Sequence, residues 1–216
     1  MLRSRFDKYA DSKFSEVMNF IYKVMVINIL YIFTVAVGLG VFTFAPATVS
    51  AYVCMKGINE NKEFPLFKTY IHTFKTEYKK SMMFFLYYLI TFAILGISFN
   101  AYMQFEDNFF NTLGMLVIAL LILINLGSFI HILLLSVYTP KIKFKSKIKY
   151  SYLMMLYSPM LTILLVLVNV ALLIFSYIFI SFSFMFTFAF MAYYNIVISS
   201  KAYVKISKDN IPLEVL

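Results

Sequence analysis

An all-α, polytopic helical membrane protein of about six passes, with both termini cytoplasmic, is the fold class this sequence predicts, and three observations predict it. The 216 residues are 62% hydrophobic with a mean hydropathy of +0.83, against roughly 45–50% apolar residues in an ordinary soluble domain. Residues 150–200 contain no Asp, Glu, Lys or Arg. A helix rises about 1.5 Å per residue, so a run of that length must fold back and cross a hydrocarbon layer about 30 Å thick twice. The 19 Lys and Arg fall in short segments between apolar runs. Those runs are continuously apolar, whereas the strands of a membrane barrel alternate in segments of about ten residues.

Charge-free intervals at 24–55, 81–105, 108–140 and 150–200 set the order of the elements. The first is too long for one straight pass and too short for two ordinary ones, so the loop charges decide its shape. Segments 1–23 and 56–80 carry five and six Lys or Arg, 106–107 holds only Glu106 and Asp107, 141–149 holds five lysines and 201–216 three. Basic loops stay in the cytoplasm. The first two basic segments share a side only if the chain between them goes out and returns, which predicts a broken helical hairpin over 19–58. Its first limb is 19–41, with Lys23 snorkelling to the interface, and its second limb, 47–58, is short or re-entrant. Gly38, Gly40 and Pro46 mark the bend. An amphipathic interfacial helix is expected over 63–80, with Pro65 in its first turn. Spanning helices are expected over 82–105, 113–138, 159–179 and 183–200, with Pro159 opening the third and the last reversal between 176 and 184. A cleavable leader ending near Val49, Ser50 and Ala51 is rejected, because the preceding region carries Asp7, Asp11 and Glu16 and the apolar stretch far exceeds the 7–15 residues of a leader core. The single cysteine, Cys54, excludes an intramolecular disulfide and reads as packing.

Three stretches carry a resemblance. Asn28, Ile29, Leu30 and Tyr31 are followed by VFTFAPATVSA at 41–51 and by Phe64, Pro65, Leu66, Phe67, Lys68, Thr69 and Tyr70. In this order and spacing the chain resembles the YesL family of bacterial integral membrane proteins. Asn28, Pro46, Ala47, Thr48 and Phe67 match its motifs, and Ala45 stands where the family has glycine. The resemblance implies a multi-pass protein of the bacterial cell membrane with no established catalysis, and an accessory role beside carbohydrate ABC importers.

Within 63–80, Phe67, Ile71, Phe74 and Tyr78 fall at i, i+4, i+7 and i+11 on one stripe, and Lys68, His72, Lys75 and Lys79 repeat that spacing on an adjacent face. Two readings follow: a lipid-surface anchor, each Lys contributing about 1 kcal/mol near an anionic leaflet, or a docking face for a cytoplasmic partner. The alternating lysines of 141–149 read as an orientation signal and lipid contact in a loop rather than a nucleic-acid site. His131, with Asn125 and Ser128 near its face, and Asn28, Asn100, Asn169 and Asn195 read as interhelical hydrogen-bonding groups, and no Asp, Glu, Lys or Arg is expected inside the membrane interior. HExxH, a glycine-rich phosphate loop and GxSxG are all missing, and two histidines with one cysteine make poor metal ligands. The expectation is therefore a non-enzymatic accessory membrane protein without catalytic, cofactor or metal residues. Its expected partners are membrane lipids and ABC sugar importer subunits, and not nucleic acid. The alternative is a small autonomous transporter or channel with its site at the broken hairpin.

Overall fold

The computed structural model describes residues 13–105, 108–140, 142–180 and 185–208. The described residues form seven helices: α1 (Lys13–Val37), α2 (Phe44–Asn59), α3 (Leu66–Tyr102), α4 (Phe109–Tyr138), α5 (Phe144–Tyr157), α6 (Pro159–Ile178) and α7 (Thr187–Lys208). Four of them, α1, α3, α4 and α6, are long and apolar enough to cross a membrane.

The shortest apolar helix is the centre of the packing. Helix α2 lies against α1, α3, α4 and α7, and its buried residues include Ala45, Ala47, Ser50, Ala51 and Cys54. Small side chains let neighbouring backbones approach closely where lipid supplies no hydrophobic drive. The expected hairpin is present in outline, with corrected bounds. Its first limb begins at Lys13 and not at 19, and the bend is confined to 38–43. Pro46 is inside the first turn of α2 rather than at the bend, where its missing N–H would have had no helical partner in any case.

The expected separation of an interfacial helix at 63–80 from a span at 82–105 is overturned: α3 is one continuous helix of 37 residues. Charges in a sequence mark where lipid ends, not where a helix ends; Lys and Glu are good helix formers, and no Gly or Pro interrupts 66–95. Helix α4 starts four residues before the expected 113, because the Asn108 side chain caps it by accepting the Asn111 N–H at 2.8 Å.

Segment 141–149 is not a loop throughout. From Phe144 it is α5, an element the sequence reading lacked, and only Ser158 separates α5 from α6. Ser158 ends one helix through its N–H to the Met154 carbonyl (3.0 Å) and accepts the first bond of the next from Thr162 (3.2 Å). Pro159 fills the first position of α6, as expected. Helix α6 ends at Ile178, and part of the last reversal, 181–184, lies outside the described residues, as does the start expected for the last span. Helix α7 continues past the expected end at 200 to Lys208.

Candidate functional site: the α3–α5 junction and the polar seams

Helix α3 turns three stripes to different surroundings. Lys68, His72, Lys75 and Lys79 are exposed, as is Phe67 at 63%. Ile71, Phe74 and Tyr78 are half-buried, with Ile71 and Phe74 against the edge of the core and the Phe74 and Tyr78 rings 5.7 Å apart. The innermost stripe is a third one. Tyr70, Ser81, Phe84 and Tyr88 are buried, and Glu77 shares their spacing along the helix. Tyr70 ties α3 to α1 through a hydrogen bond shared with Thr34 (2.9 Å).

The middle of that stripe meets α5. The Phe84 and Phe144 rings stack at 4.6 Å. Lys147 is only 1% exposed, with its Nζ 5.8 Å from the Phe84 ring centroid. Burial pushes the Lys147 ammonium below the ordinary lysine pKa; the Glu77 carboxylate opposes that shift and Lys80 adds to it. Glu77 in turn holds Lys80 at 3.7 Å through Oε1, while its Oε2 and the Ser81 Oγ are buried with no hydrogen-bond partner. An ammonium, a carboxylate and a hydroxyl are thus gathered at one helix crossing. Segment 141–149, expected to be an orientation loop, thus carries a buried lysine, on a helix that is not among the four long and apolar enough to span. Lys147 escaped notice because the alternating lysines suggested a solvated loop, yet Lys147, Tyr150, Ser151 and Met154 are spaced as one helical face and are the buried residues of α5.

Above this junction most interior polar groups pair with one another, although the Asn125 Nδ2 is buried with no hydrogen-bond partner. Tyr88, Ser128 and Ser151 form a closed triangle with hydroxyl separations of 2.5, 2.8 and 2.8 Å, and Tyr152 donates to Asn125 Oδ1 at 2.8 Å. His131 uses both ring nitrogens, Nδ1 with Tyr203 (2.6 Å) and Nε2 with Thr162 (2.7 Å), joining α4 to α7 and α6. Asn195 donates to Tyr52 (2.8 Å) and to Asn169 Oδ1 (3.1 Å), and Asn169 donates back at 2.8 Å. Among the described residues no three His, Cys, Asp or Glu come together as a metal site. A cleft of about 470 Å³ opens at the α3–α4 turn, lined by Tyr102, Phe105, Asn108, Phe110 and Asn111, without a carboxylate, amine or imidazole among those residues.

The motif residues have structural places. Asn28 is fully buried and accepts the Ala189 N–H at 3.0 Å. Ala189 is the third residue of α7, whose first N–H groups have no partner within their own helix. Pro46 and Ala47 are buried in α2, and Thr48 donates to the Phe44 carbonyl (2.8 Å) and shares a longer bond with Tyr31 (3.3 Å). Replacing Asn28 with Leu leaves a buried amide of α7 unpaired and should lower stability by about 1–3 kcal/mol. The readout is thermal unfolding in detergent with a thiol-reactive fluorogenic dye, since Cys54 is the only cysteine and is buried.

Residues 24–99 match the family model described as "Protein of unknown function, DUF624". DUF624 is the designation under which YesL-like proteins are grouped. The matched stretch runs from α1 into the last turns of α3 and contains all the residues on which the resemblance was read. No curated protein and no solved structure matches the chain.

Proposed function

We propose that this is a non-enzymatic accessory protein of the bacterial cell membrane, a subunit or regulator of a carbohydrate ABC importer, and that the exposed basic face of α3 is where the importer docks. The observation that carries the reading is the continuity of α3. Its basic first half, with Lys68, His72, Lys75 and Lys79 outward and Phe67 beside them, is a direct extension of a helix long and apolar enough to span. A lipid anchor is most effective when the helix lies in the interface plane, whereas lysines distributed along a helix that rises out of it soon pass beyond a Debye length of about 8–10 Å from the headgroups. Three lysines and His72 in helical register with an exposed Phe fit an acidic, partly apolar protein surface better.

Co-purification in mild detergent tests this. Importer subunits should be recovered with the unaltered protein and lost with Lys68→Gln/Lys75→Gln/Lys79→Gln and with Phe67→Ser, while all variants still insert. Recovery unchanged in both variants overturns docking and leaves only the lipid-anchor role. Sugar flux through proteoliposomes holding this protein alone overturns the accessory assignment.

A further inference from the structure

We propose that the apex of the α1–α2 hairpin, residues 38–43, is held in the bilayer hydrocarbon, so that the hairpin enters and leaves by the same face and its surroundings at the tip are lipid acyl chains. Most of the apex backbone N–H groups, those of residues 38–41, are bonded within the hairpin. The Gly38 N–H donates to Thr34 O (3.3 Å), Leu39 to Ala36 (3.2 Å), Gly40 to Val35 (2.9 Å), Val41 to Leu39 (2.9 Å) and Phe44 to Gly40 (3.0 Å), and the Thr43 hydroxyl donates to the Val35 carbonyl (3.3 Å). Irregular backbone survives at membrane depth only where such groups are satisfied internally.

The same chain provides a comparison in water. Helix α2 ends in the same motif, with Asn61 N–H to Ile58 O and Lys62 N–H to Gly57 O, both at 3.0 Å. There the left-handed residue is Asn61 (φ +50°), between Glu60 and Lys62. At the end of α1 the left-handed residue is Leu39 (φ +54°), followed by Gly40 at φ +75°. Gly and Asn adopt this conformation readily, whereas other L-residues are disfavoured by about 1–2 kcal/mol. Leu39 is nevertheless 82% exposed, and Val37, Val41 and Phe42 beside it are exposed as well. An exposed leucine in a strained conformation, ringed by apolar side chains, matches hydrocarbon and not water.

The position of the apex agrees. Phe44, the first residue of α2, packs on Phe85 (5.7 Å) and Phe129 (6.5 Å). Phe85 is only five residues past Lys80, the last charge before the apolar part of α3. Seventeen residues of α3, about 25 Å of helix, lie beyond it up to and including Tyr102. The apex therefore sits near the junction of the basic and apolar parts of α3, with Thr34 just before it bonded to Tyr70 and Phe44 just after it packed on Phe85, far from the α3–α4 turn.

The sequence contains no tryptophan, so Leu39→Trp, Phe42→Trp and Asn61→Trp each give a single fluorophore in the full-length protein reconstituted in vesicles. Phe42→Trp covers the possibility that a bulkier side chain is not accepted at left-handed position 39. Phe42→Trp and Leu39→Trp should lose most of their emission to lipids brominated on the acyl chains and little to aqueous iodide, with Asn61→Trp showing the reverse. Iodide quenching of Phe42→Trp without bromolipid quenching overturns the proposal. So does labelling of Val41→Cys, in a Cys54→Ala background, by an impermeant maleimide added outside intact cells, since the apex would then have crossed. Neither readout touches the basic face of α3, so failure here is distinguishable from failure of the docking reading.

Discussion

Replacing Glu77 with Ala is expected to destabilise the detergent-solubilised protein by about 3–5 kcal/mol, the usual effect of leaving one charge of a buried group uncompensated, while Lys147→Met should leave stability unchanged or raise it. The asymmetry follows from the surroundings of each charge. Without Glu77, the Lys147 ammonium remains buried with Lys80 as its charged neighbour. Without Lys147, Glu77 keeps Lys80 at 3.7 Å, and a Met side chain preserves the apolar stem against Phe84. The double variant Glu77→Gln/Lys147→Met should recover most of the loss. The pH dependence has a fixed sign. Because burial lowers the Lys147 pKa in the folded state, the unfolded chain binds more protons between the folded value and the ordinary one of 10.5, and stability rises with pH across that window. The penalty is present in full below the folded value and gone above 10.5. Lys147→Met should flatten that rise, leaving the share of Lys56, whose pKa burial also lowers. Thermal unfolding read at Cys54 over a pH series measures both effects. Equal losses in the two single variants would instead identify a mutually dependent ion pair.

These residues also show where the sequence was legible and where it was not. Helices α4 and α6 were readable because each is a uniform apolar run, with Pro159 marking the start of α6, whereas the Asn108 cap that starts α4 four residues early was not read. The bend was readable from Gly38 and Gly40, although the left-handed residue itself is Leu39. The unity of α3 was not, since Lys79, Lys80 and Ser81 break the hydropathy without breaking the hydrogen-bond ladder. Helix α5 was missed because its buried face is led by a lysine, and a reading that sorts residues by polarity puts Lys147 outside. The inner stripe of α3 was missed for the same reason: aromatic spacing selected Phe67, Ile71, Phe74 and Tyr78, whereas the residues turned inward are Tyr70, Ser81, Phe84 and Tyr88. Pairings across the chain were beyond reach. Asn28 meets Ala189 at a separation of 161 residues, and no local pattern encodes that contact.

Asn195→Leu should have the second largest effect, a loss of about 2–4 kcal/mol, because one side chain closes the contact among three helices. Its amide donates to the Tyr52 hydroxyl of α2 and to the Asn169 carbonyl oxygen of α6, while its own oxygen accepts from Asn169. Each buried polar group left without a partner costs about 1–3 kcal/mol, although interhelical bonds in membranes average nearer 0.6 kcal/mol because the separated helices find other partners. Two groups are orphaned here at once, and Asn169 retains only its bond to the Leu165 carbonyl (2.7 Å). Leucine has the same branching as asparagine but is bulkier and tetrahedral at Cγ, so packing contributes to the loss as well. Tyr52→Phe separates the two causes, since it removes one orphan without altering the space at 195. If hydrogen bonding dominates, Tyr52→Phe/Asn195→Leu should be more stable than Asn195→Leu alone by about 1 kcal/mol, and unfolding read at Cys54 should show the recovery. A double variant that adds the two single losses in full would place the effect in packing at the α2–α7 contact instead.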